Sequence, residues 1–196
     1  MIATMFSVVP EHEPKLVARF KLLRRLGFPT GVNIKRGGSF AYDLDATTGS
    51  MLAFALMNAM VTPMQAVAIL VASQRILAEE VRAILARIGA GDSPIDLDKR
   101  PADGRLLVIT AAALAHWKVG GHGDQPADAS DGTAKLEIMR PDDLADRINV
   151  STPANIAPAQ IVIDFHGIIA WTANAMLKAS WATAAQMQAE IERPTA

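Results

Sequence analysis

Between Ala46 and Gln74 the chain carries no charged residue, and this stretch limits the fold more than any other. Its central part, Met51 to Ala72, is long enough to cross a bilayer as one helix. Asn58, Pro63 and Gln65 interrupt it near the middle, and Thr62-Pro63 has the form of an N-cap followed by proline in a first helical turn. The stretch is therefore read as two buried helices. Its excess of alanine and methionine over leucine and phenylalanine points the same way.

Burying two apolar helices requires a core, and 196 residues at 51% hydrophobic and 20% charged composition are enough for one ordinary domain or two small ones. The absence of cysteine removes disulfides, zinc ribbons, iron–sulfur clusters and thiol nucleophiles, and fits a reducing compartment. Met1 to Pro10 lack the positive leader and long apolar core of a secretory signal, so a cytoplasmic protein with no membrane partner is expected.

Charge is unevenly distributed. Residues 1 to 90 hold ten Lys/Arg against six Asp/Glu, a balance of +4, and the rest hold nine against fourteen, or -5. A polyanion would meet the first half. From Glu13 to Leu26, Leu16, Val17, Phe20, Leu23 and Leu26 recur at helical spacing, ended by Gly27 and Pro29. The other face is expected to display Lys15, Arg19, Lys21, Arg24 and Arg25 together. Val32 to Tyr42 reads as two short strands around Gly37-Gly38, a ribbon with Lys35 and Arg36 at its tip and with Phe40 and Tyr42 in its core.

Asp43 or Asp45 can cap a helix running to about Met60, and Thr62 opens a second one ending at Gly89-Ala90-Gly91. Along the second, Val67, Leu70, Gln74, Leu77, Val81, Ile84 and Ile88 alternate spacings of 3 and 4, as in the seam of a coiled coil. Pairing with a second copy, with Gln74 fixing register, and burial in the chain's own core both satisfy this pattern. Asp92 to Gly104 is a polar connector. Beyond it, Leu106 to Ala115 reads as a strand, a helix or a strand running into a helix, Val119 to Thr133 is a Gly/Asp-rich loop, Lys135 to Met139 alternates like a strand and Pro141 opens a short helix. Ile161 to Phe165 reads as a further strand and Gly167 to Glu190 as one long helix.

The order of basic helix, Gly-Pro break, basic-tipped ribbon and helix pair resembles the winged helix-turn-helix of MerR-type transcriptional regulators. The residues that carry the likeness are Ala18 to Pro29, Gly38 to Tyr42, Leu52 to Leu56 and Thr62 to Val67, within residues 13 to 88. The first helix of the motif is confined to Met1 to Pro10, a degenerate form. The resemblance implies a winged-helix domain over 1–91 whose long helix dimerises; with the strands and helices read beyond it, which make a small α/β unit over 105–196 for dimerisation or ligand sensing, the fold expected is mainly α with small β elements. It further implies a homodimeric regulator of duplex DNA, with a small-molecule or protein effector at the carboxyl-terminal half.

A cationic helix suits the major groove, and a basic ribbon tip beside it can neutralise phosphates. The DNA contacts expected are Lys15, Arg19, Lys21, Arg24, Arg25, Lys35 and Arg36. The rival reading is a protein–protein adaptor or phage assembly component whose winged domain no longer touches DNA. Catalytic signals are weak: His12, His116, His122 and His166 share no metal-ligand spacing, and no Walker or dinucleotide glycine pattern occurs. Asp164-Phe165-His166 follows a strand, where a small enzyme would place its site, but a capping Asp and a satisfied His explain it. No enzyme, cofactor or metal is expected. Trp117, Trp171 and Trp181 are read as packing for the second half.

Overall fold

A computed structural model describes residues 10–30, 43–88, 104–110, 136–149, 160–180 and 182–192. Over these residues the protein is mainly helical with a small three-stranded antiparallel sheet. It divides into two compact units, Met1–Lys99 with Gly167–Ala196, and Arg100–His166. The segment after Gly167 thus groups with the amino-terminal unit, whereas the sequence reading kept 105–196 together.

The first unit begins with a single 3-10 turn, Pro10–His12, that leads into α1, Glu13–Arg25. The charge-free stretch resolves into helices, as its punctuation requires. Asp43 caps α2, Leu44–Asn58, by accepting the Ala46 N–H at 2.8 Å. This helix is apolar around most of its circumference, and Leu52, Ala53, Phe54 and Leu56 are all at or below 2% exposure. Such a helix must lie in a core. It ends at Ala59, after which Met60 takes a left-handed φ of 67°.

Thr62 then caps α3, Pro63–Ala72, through a reciprocal box: its hydroxyl accepts the Gln65 N–H at 3.4 Å and the Gln65 side chain accepts the Thr62 N–H at 3.2 Å. α3 packs on α2 and also touches α1. Among the described residues no helix is long and apolar enough to cross a membrane.

The single helix expected from Thr62 to Gly91 is two. α3 closes at Ser73, with φ -106° and ψ 6°, and α4 runs from Gln74 to Ile88. Serine is a weak helix-interior residue because its side chain competes for backbone partners. The break interrupts the expected seam. Leu70, Leu77, Val81 and Ile84 are buried within the chain itself, Val67 is half-buried, Gln74 is exposed, and the Ile88 side chain lies outside the described residues.

A similar division occurs near the end. The expected helix Gly167 to Glu190 is observed as α6, Phe165–Lys178, and α7, Ala184–Glu192. Ser180 adopts φ 55° after α6, and Thr183 with Gln186 builds a second reciprocal cap, with bonds of 2.8 and 3.2 Å. α7 packs on α4, and its Met187 is buried.

In the second unit β1, Leu106–Thr110, lies between β2, Leu136–Met139, and β3, Gln160–Asp164, antiparallel to both. Leu107 faces Ile138 on one side and Ile163 on the other. As the central strand, β1 buries Leu107, Val108 and Ile109 at 1% exposure or less. Helix α5, Pro141–Asn149, buries Leu144 and pairs Arg147 with Glu137 of β2.

Candidate nucleic-acid interface

Helix α1 is a peripheral helix held by few contacts. Only Leu16 and Leu23 are buried along it, and the half-buried Phe20 stacks on Phe54 of α2 with ring centroids 5.9 Å apart. Its end is fixed by glycine. Gly27 at φ 74° allows Phe28 N–H to reach Leu23 O and Gly27 N–H to reach Arg24 O, both at 3.0 Å, the pairing of a Schellman stop. Phe28 is then buried at 6% exposure.

The cations of this helix are accessible, but they do not form the single face expected from sequence. Lys15, Arg19, Lys21 and Arg25 are exposed and Arg24 is half-buried with partners of its own. At 3.6 residues per turn, Arg19, Arg24 and Arg25 point about 140°, 100° and 120° from one another. The same geometry divides the five into two flanks. Lys21, Arg24 and Arg25 share an arc of roughly 100° over the last turns, and Lys15 and Arg19 lie on the other side of exposed Ala18 and Leu22.

Arg19 is also tied down, since its guanidinium donates to Asn58 Oδ1 at the end of α2, at 3.0 Å. Arg24 and Arg25 sit where a helix dipole favours positive charge, so part of their role is structural. Lys35, Arg36 and the ribbon around them, with Phe40 and Tyr42, lie outside the described residues, as does nearly all of Met1 to Pro10.

No protein-family model, curated protein or solved structure matches this chain.

The residues considered for catalysis are not gathered. His12 is exposed on the 3-10 turn, and His166 is buried, with its backbone N–H donating to Arg105 O at 3.0 Å. His116 and His122 lie outside the described residues, as do Trp117 and Trp181; Trp171 is half-buried in α6. Among the described residues no three His, Asp or Glu side chains come together as a metal site would require. Sequence periodicity did not anticipate the Arg19–Asn58 bond or a bond from the Thr30 hydroxyl to Gln74 Oε1 at 3.1 Å. Both join residues far apart in the chain, and no local pattern signals them.

Proposed function

We propose that the protein is a transcriptional regulator that binds duplex DNA through its amino-terminal unit, in the manner of a MerR-like winged helix-turn-helix, and acts as a homodimer. The observation that carries this reading is α1 itself: a helix standing on the surface with most of its circumference, including four of its five cations, open to a partner. Its contact set is narrower than the sequence suggested. Lys21 and Arg25, one turn apart and both exposed, are the leading phosphate contacts; Arg24 flanks them, and Lys15 and Arg19 reach a second strand only if the helix lies along a groove. Lys35 and Arg36, which lie outside the described residues, stay in the proposed contact set on their charge alone. Two-fold pairing would place two such helices on successive turns of the duplex and convert weak contacts into site selection.

The test is genome-wide footprinting of the tagged protein against a variant carrying Lys21→Glu and Arg25→Glu. Loss of discrete occupied sites in the variant supports the reading, and unchanged occupancy removes it.

One observation favours the adaptor reading instead. Helix α3 has no charged residue and exposes Met64 at 63% and Val71 at 44%, next to Ala68 and Ala72 on the same face. An uncharged exposed helix face suits an assembly contact. An adaptor would bind no duplex at any ionic strength, whereas a regulator would release it as salt rises.

A further inference from the structure

A cavity in the amino-terminal unit is walled by α2, by α4 and by Phe28 to Thr30, the segment that follows the stop of α1. Its volume is about 150 Å³, the size at which a core cavity takes up benzene. The floor is apolar: Phe28, Leu52, Leu70, Leu77 and Val81 line it, and none is more than 7% exposed. The cavity opens to solvent past a polar rim where Thr30, Asp43 and Gln74 are exposed.

Charge at this rim has one sign. Among the described lining residues are two carboxylates, Asp43 and Asp45, and no Lys, Arg or His, although the first 90 residues of the chain carry a basic excess. Asp45 is neutralised from behind, because its Oδ2 accepts from the mostly buried Arg82 guanidinium at 2.9 Å. Thr30 and Gln74 are bonded to each other at 3.1 Å. Asp43 differs. Its Oδ1 accepts the Ala46 N–H at 2.8 Å, and among the described residues no cation pairs with it. An accessible carboxylate without a counter-ion thus stands beside an apolar hollow of benzene size.

We propose that this cavity binds a small primary amine in its protonated form, with a compact apolar group on the floor and the ammonium on the Asp43 carboxylate. The class follows from the lining. An anion would meet two carboxylates and no cation, and a neutral molecule would gain from the floor alone. A bare divalent metal would need about six oxygens, which an apolar floor does not offer. The site does not depend on the DNA reading, and either can stand without the other.

The test uses the full chain at neutral pH and titrates benzylamine, benzyl alcohol, benzoate and methylamine while protein amide resonances are followed by NMR. The expected result is saturable benzylamine binding at about 1 mM, the scale for so few heavy atoms, with shifts confined to α2, α4 and Phe28 to Thr30. Benzyl alcohol and methylamine, each lacking one half of the recognition, should bind about tenfold more weakly, and benzoate should not bind. Asp43→Asn keeps a good helix cap, so the variant should fold, weaken benzylamine about tenfold and leave benzyl alcohol unchanged. Ala78→Leu, which fills the cavity from its α4 wall, should abolish binding of both ring compounds. Absence of benzylamine binding, benzoate binding as tightly, methylamine matching benzylamine, or an Asp43→Asn variant with unaltered benzylamine affinity would each overturn the proposal.

Discussion

Replacing Met60 by glycine should stabilise the protein, and the size of the gain can be worked from one backbone angle. Met60 follows the C-cap of α2 at φ 67°, where its N–H reaches Met57 O at 3.2 Å and the Val61 N–H reaches Leu56 O at 3.0 Å. This is the same stop that Gly27 makes after α1, but built with a side chain. The left-handed region costs an L-residue about 1–2 kcal/mol, and glycine avoids that cost. Glycine in turn loses about 0.5–1 kcal/mol more chain entropy on folding. Because Met60 is 91% exposed, its removal forfeits almost no burial. The net expectation is a gain of about 0.5–1 kcal/mol. Urea unfolding followed by circular dichroism should show it as a higher midpoint at unchanged slope. Met60→Ala is the control, since alanine keeps the strained φ and should change little. A destabilised glycine variant, or an alanine variant with the same gain, would refute the reasoning.

Three further outcomes follow from the geometry. Thr62→Ala removes the hydroxyl half of the α3 cap and should cost about 1 kcal/mol by the same unfolding assay, with Thr62→Ser recovering most of it. Asp45→Ala deprives the mostly buried Arg82 guanidinium of one partner; with Asp45 itself partly exposed, about 1–2 kcal/mol should be lost. Gly49→Ala brings a methyl within 3.2 Å of the Phe28 ring, so the usual helix gain of about 1 kcal/mol over glycine should be reduced or cancelled, and restored in combination with Phe28→Leu.

Much of the helical scaffold was legible from sequence because its signals are local. The stripe of Leu16 and Leu23, the Gly27 stop and the Thr62-Pro63 start each lie within one or two turns, and helices form where they indicate. The strands around Ile138 and Ile163 were legible by alternation and chain composition. Two breaks were missed, at Ser73 and Ser180, since apolar spacing continues across both while the backbone does not. The second had a readable sign, Thr183 and Gln186 at capping-box spacing, that was overridden by a long apolar run. The spread of Arg19, Arg24 and Arg25 around α1 was also present in their numbering, because separations of five, one and six residues put the three about 140°, 100° and 120° apart, all the way around the helix. What spacing cannot supply is the destination of each side chain: Arg19 on Asn58, Phe20 on Phe54, and Asp43 on a cavity are long-range facts.

The central claim is that α1 meets the phosphates of duplex DNA, and the salt dependence of binding tests it most directly. Fluorescence anisotropy with a labelled mixed-sequence duplex should give an affinity that falls linearly on a log–log plot, at roughly -0.9 per phosphate neutralised, with a slope of about -3 or steeper. The Lys21→Glu, Arg25→Glu variant should bind far more weakly and with a slope shallower by about 2. Failure of the wild-type chain to bind at low salt, or a variant whose slope matches it, would contradict the account.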